Sequence, residues 1–123
     1  MTIIRARVGN SIMTQAKSSG TGPIIFSDHT ARRQLISERE VVTFRKSKRT
    51  TGDTWWRETR LGPKEGDVHV TEIGEIDPSN TAVLVKYQEL SGFESVSAWQ
   101  QAIRNLNGSL PDSGHLYHVT MRE

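Results

Sequence analysis

The chain contains no cysteine in its 123 residues. That absence excludes a disulfide framework, a thiolate metal site and a cysteine nucleophile, and it fits a reducing compartment. No apolar run approaches the roughly 20 residues that a helix needs to cross a bilayer. The first residues, Met1 to Val8, carry Arg5 and Arg7 and lack the longer apolar core of an export signal, so a cytoplasmic location is the expectation. Neither a phosphate-binding Walker loop, a dinucleotide fingerprint nor a Gly-x-Ser-x-Gly elbow is present. Hydrophobic residues make up only 34% of the chain, yet they recur in short runs bounded by turn residues, which argues for a folded chain over a disordered one. The length fits a single domain over 1–123. Within it, 1–21 reads as an N-terminal extension, with an edge strand over Ile3–Val8 and a flexible Gly/Ser/Thr-rich connection after it.

Acidic residues are scarce where basic ones gather. Residues 32–64 carry ten Lys or Arg against four Asp or Glu, a net of +6, whereas 65–123 carry three against nine, a net of −6. The whole-chain charge of +2 hides this asymmetry. A segment of +6 that stays together in space makes one side of the fold electropositive and suits a polyanionic partner. A solvated basic face opposite a solvated acidic one has the same composition.

The centre of the basic region is Val41–Arg60. It holds Arg45, Lys46, Lys48, Arg49, Arg57 and Arg60 together with Phe44, Trp55 and Trp56. A β-branched start (Val41, Val42, Thr43) and a second β-prone run, Thr54 to Arg60, predict two strands joined by a cationic loop, in which Thr50-Thr51-Gly52 either offers hydroxyls and backbone N–H groups to a phosphate or is an ordinary hairpin tip. Trp55 and Trp56 are adjacent, so in a strand one indole enters the core while the other faces out. The outward ring either stacks a base between indole and guanidinium or covers an apolar seam. The cations are candidate phosphate contacts.

The rest of the chain alternates strand and helix signals. Pro23 to Phe26 reads as a strand, and Ser27 or Asp28 caps a helix that turns Ala31, Leu35 and Ile36 to one face. Val68 to Ile76 alternates apolar with polar, with a slip before Ile73 and Ile76. Residues 81–90 fit strand and helix equally. Ser95 opens the strongest helix, with Val96, Trp99, Ile103 and Leu106 at three- and four-residue steps and Asn107-Gly108 as its stop. His115 to Met121 is a final strand. The order implies an α+β domain on a small mixed or antiparallel sheet or barrel, flanked by two or three helices. The four histidines match no ligand spacing; His115-x-x-His118 is at most a weak divalent site, and neither a metal nor another cofactor is expected.

Three short motifs and their order carry a resemblance. They are Thr43-x-Arg45 in a strand, Gly66-Asp67-Val68 in a turn, and Gly92-Phe93-x-Ser95 before a helix. Over roughly residues 22–121 the chain resembles the ASCH domain, one of the PUA-like β-barrel folds. The resemblance implies a small barrel, a pocket at its mouth and a nucleic-acid or nucleoside ligand. The family signature, G-x-K-x-x-E-x-R with Thr for Glu in a branch that deacylates acetylated cytidine, falls on Glu38, Glu40, Thr43 and Arg45. Only Thr43 and Arg45 agree, and the carboxylate expected before the Gly-Phe pair is Ser91. An amide hydrolase needs a base for the attacking water and a cation for the oxyanion; Glu40 is no cation and Ser91 a poor base. The expected function is therefore binding of RNA or other single-stranded nucleic acid through Arg45, Lys46, Lys48, Arg49, Trp55, Trp56, Arg57 and Arg60. The alternatives are a small hydrolase of RNA or a modified nucleoside, with Thr43 and Glu40 as its weakly supported catalytic pair, and an accessory protein-binding domain.

Overall fold

A computed structural model describes residues 22–122; the edge strand and linker expected over 1–21 lie outside the described residues. Five strands and four helices follow in the order β1 (Ile24–Ile25), α1 (His29–Glu38), β2 (Glu40–Arg45), β3 (Gly52–Arg57), β4 (Gly66–Ile76), α2 (Thr81–Val85), α3 (Gln88–Ser91), α4 (Val96–Asn107) and β5 (Gly114–Met121). The class is α+β. The strands form one mixed, curled sheet, a half-barrel in the order β1-β3-β4-β5-β2, in which only the β1–β3 pair is parallel.

The two strands expected within Val41–Arg60 are β2 and β3, joined by the cationic loop, but the strand order excludes the reading of Thr50-Thr51-Gly52 as a hairpin tip. β2 and β3 do not pair; β2 lies against β5 and β3 against β4, so the two strands are separated by two others. The loop 46–51 therefore spans from one part of the curled sheet to another. Its anchor is the buried Tyr117, whose hydroxyl accepts the Arg49 backbone N–H at 2.8 Å. Register explains why β2 goes elsewhere: Val41 faces Val119 and Phe44 faces Leu116, six aligned residue pairs along β5. Local turn chemistry loses to long-range side-chain pairing.

Three of these four helices, α1, α2 and α4, begin where short polar residues take up orphan N–H groups. The Asp28 carboxylate accepts from Thr30 and Ala31, the Asn80 side chain from Ala82 and Val83, and the Ser95 hydroxyl from Ala98. Residues 81–90, open between two readings, are two short helices, α2 and the start of α3, and they raise the helix number to four.

Two apolar clusters sandwich the sheet. On one face, Ala31 and Leu35 of α1 meet Ile24, Phe26, Val41, Trp56, Val68, Val70, Tyr117 and Val119. On the other, Leu84, Trp99 and Ile103 of α2 and α4 meet Val42, Phe44 and Leu116. The slip expected in the long strand is a bulge between Glu72 and Gly74, and it brings both Ile73 and Ile76 against the second cluster. Two expected core positions are corrected: Ile36 is 55% exposed and Leu106 64%, because each lies at the margin of its helix's apolar stripe.

Candidate functional site

β1 and β2 are the two free edges of the half-barrel. Between them is a cavity of about 230 Å³, walled by Ile25 and Phe26 at the end of β1, by Asp28 and Ala31 at the start of α1, and by Thr43 to Lys46 at the end of β2. Leu106 and Asn107 of α4 complete it. Strand alternation explains its chemistry. Along β2, Val41, Thr43 and Arg45 share one side, and Glu40, Val42 and Phe44 the other.

Arg45 bridges the open seam. Its guanidinium lies 5.0 Å from the centroid of the Phe26 ring, joining the two edge strands by a cation–π contact. Its Nε is shielded from solvent and has no hydrogen-bond partner, and the side chain forms no ion pair among the described residues. Burial, then the positive charge of Arg49, pushes its pKa down to about 10, while Tyr117 opposes the shift. It is a cation at neutral pH. Thr43 is buried beside it, and its hydroxyl makes no hydrogen bond among the described residues. Lys46 is exposed at the rim.

The other expected contacts divide differently. Arg49 is held by main-chain carbonyls: its Nε donates to Thr50 at 2.9 Å, its Nη2 to Gly22 at 2.9 Å and its Nη1 to Pro23 at 3.5 Å. Burial lowers its pKa, with Tyr117 opposing. Its guanidinium ties loop 46–51 to the residues before β1 and is occupied there. Lys48 is largely exposed and 3.8 Å from Glu72, a loose pair that holds it little. Trp56 is buried against Phe26, edge to face at 6.1 Å, and belongs to the core. Trp55, on the opposite side of β3, is part-exposed, and the Arg57 guanidinium lies 5.2 Å from its ring. Arg60 is exposed in the turn after β3, not on a strand. Neither tryptophan lines the cavity with Thr43 and Arg45.

Glu40 does not join Thr43. Three residues apart on a strand, the two side chains leave on opposite sides, a parity already present in the spacing. Glu40 accepts from or donates to no residue of the cavity; its carboxylate lies 2.8 Å from His118 Nε2 and borders a separate cavity with Gln34, Glu38 and Glu89. His115 faces Glu72 at 3.1 Å, so the two histidines have different carboxylate partners and do not converge. Ser91 is fully buried; its hydroxyl donates to the Gln88 carbonyl and accepts the Phe93 N–H at 3.1 Å, which closes the end of α3.

The motif glycines have steric reasons of their own. A Cβ at Gly92 (φ +86°) would lie 2.7 Å from Gln34 Cβ, where α3 presses on α1; at Gly66 it would lie 3.2 Å from the Trp56 indole nitrogen. Sequence reasoning missed Phe26 and Asp28 as cavity walls. Their only sequence signals are a strand end and a helix cap, which say nothing of what stands opposite. Comparison of the chain with protein-family models, with curated proteins and with solved structures finds no match.

Proposed function

We propose that this chain is a PUA-like, ASCH-type domain that binds single-stranded nucleic acid, RNA in preference to DNA. The observation that carries the reading is Arg45, a half-buried cation with a shielded Nε and no counter-ion among the described residues, lining an accessible cavity, with Lys46 and Lys48 exposed on the loop that leads from it. Buried polar groups are nearly always satisfied, so an unmatched guanidinium in a cavity points to an external partner. Exposed lysines with no strong internal partner are free to replace counterions along a phosphate backbone. On the outer side of β3, the part-exposed Trp55 braced by Arg57 offers a base a flat surface. Single strands suit this arrangement because their bases are unstacked and reach an aromatic ring.

Fluorescence anisotropy with a labelled single-stranded RNA at two salt concentrations tests the reading, with DNA of the same sequence in parallel. Affinity is expected to fall as salt rises, and the Lys46→Glu, Lys48→Glu double variant to weaken it by about tenfold or more at low salt. Absence of binding at low salt, or affinity indifferent to both charge reversals, sinks the proposal. Equal affinity for the DNA removes the RNA preference.

A further inference from the structure

We propose that the cavity at the sheet seam is a phosphate subsite, in which Arg45 grips one phosphate group of a nucleotide with the N–H edge of its guanidinium. This deepens the nucleic-acid reading and rests on it only for the identity of the larger ligand. Three side-chain nitrogens are buried without partners among the described residues: those of Arg45, Trp56 and Arg57. Trp56 is neutral and packed in the core, and Arg57 lies against Trp55 on the other side of the sheet. Of the three, Arg45 lines the seam cavity and Trp56 and Arg57 do not.

Its setting selects the ligand. Phe26 covers one face of the guanidinium and holds the plane, leaving the two Nη groups, unpaired among the described residues, for a ligand. The two outer Nη–H groups point in parallel and match two oxygens of a phosphate, a geometry that the point charge of a lysine does not reproduce. Thr43 adds a free hydroxyl, and Lys46 a second positive charge at the rim. The one carboxylate of the cavity, Asp28, already accepts the N–H groups of Thr30 and Ala31 at 2.9 and 3.1 Å, so its charge is set against the positive end of α1. The balance stays positive. A volume of about 230 Å³ with apolar walls at Phe26, Phe44 and Ala31 admits a phosphate with part of its sugar and leaves no room for a duplex. A phosphate seated there ties β1 to β2 and closes the seam. Ligand binding to the folded state alone then raises the melting temperature.

The source of the phosphate is a strand terminus or an internal diester, and the experiment separates them. Amide NMR spectra of the described domain within the full chain are followed while inorganic phosphate is added, for wild type, Arg45→Met and Arg45→Lys. Phosphate is expected to shift Asp28, Thr43 and Arg45 amides and raise the melting temperature. Arg45→Met should abolish both effects while keeping the fold, and Arg45→Lys should keep the charge yet bind about tenfold more weakly for want of the fork. RNA carrying a 5′-phosphate, a 3′-phosphate or neither then identifies the source. A gain from one terminal phosphate that Arg45→Met erases assigns the strand end; equal affinities that all fall in Arg45→Met assign an internal diester. No shift in wild type, or the same shift in Arg45→Met, overturns the subsite. If Arg45→Met does not fold, equal phosphate affinity in Arg45→Lys and wild type overturns it instead. RNA binding without any phosphate shift leaves the nucleic-acid reading standing and removes the subsite; phosphate binding without RNA binding does the reverse.

Discussion

Arg45 and Arg49 stand four residues apart, one at the end of β2 and one in the loop that follows. Burial lowers the pKa of both. Their surroundings differ in one respect. Arg49 donates to the carbonyls of Gly22, Pro23 and Thr50, while Arg45 has Phe26 beneath it and an empty N–H edge. The comparison separates a cation whose donors are taken up by main-chain carbonyls from one with no hydrogen-bond partner among the described residues, although the two are alike in type, in segment and in the sign of their shift. A basic run in a sequence is thus a mixture, and only the partners of each side chain sort it.

The sharpest way to disturb the cavity wall without replacing either arginine is Gly114→Ala. A Cβ there would lie 2.2 Å from Phe44 Cζ and 2.8 Å from the Arg45 carbonyl oxygen, and the backbone has no room to yield between β5 and β2. Overpacking of this kind is expected to cost about 3 kcal/mol, read as a lower urea midpoint at an unchanged slope. A variant as stable as wild type would show that the cavity wall at Phe44 is soft. It would then be a poor frame for a positioned guanidinium.

Next in size is the contrast itself, measured as stability. Arg49→Ala removes charge-assisted bonds to three carbonyls and frees the loop from the residues before β1; the expected loss is about 2 kcal/mol, reduced from the fully buried case because the side chain is part-exposed. Arg45→Met loses no hydrogen bond among the described residues, exchanges the cation–π contact with Phe26 for a thioether–aromatic one and sheds a desolvated charge, so it should be neutral or stabilising by about 1 kcal/mol. The opposite ranking, with Arg45→Met the more damaging, would mean that Arg45 is a structural group and its empty edge incidental.

Much of the frame was legible before the structure. Ser95 as a cap, the apolar spacing of Val96, Trp99 and Ile103, the cap at Asp28 and the slip before Ile73 all depend on neighbours within a turn or two, where sequence spacing and space coincide. The opposed faces of Trp55 and Trp56 were legible for the same reason. The two readings left open at Thr50-Thr51-Gly52 show the limit. Whether β2 pairs with β3 or with β5 depends on residues some 75 positions away, such as Val119 opposite Val41, and no local signal reports them. The candidate site inherits both sides of this. Thr43 and Arg45 share a side by parity alone, and the same parity separates Glu40 from them. Phe26 opposite Arg45, and the carbonyls that occupy Arg49, emerge only when the chain closes on itself.

A third charged residue completes the scale at its weak end. Asp53, on the outer side of β3, has internal partners like Arg49 but sits in open solvent: His69 Nδ1 is 2.7 Å away and Arg122 3.6 Å away. The hydrogen bond from His69 holds its carboxyl below the ordinary value of 3.8; desolvation opposes it, and the charges of Arg122 and His69 add smaller lowering contributions. A depressed carboxyl stabilises the fold at pH above its unfolded value, and that contribution disappears as pH falls below 3.8 through the folded value. Solvent screening keeps the effect small, below those of both arginines. A carbon-detected NMR titration of the Asp53 carboxyl reads it directly. The midpoint should lie below 3.8 in wild type and return towards it in His69→Ala. A wild-type midpoint at or above that value would show the pair to be unformed in solution, and partner geometry at the surface would then carry none of the weight it carries at the seam.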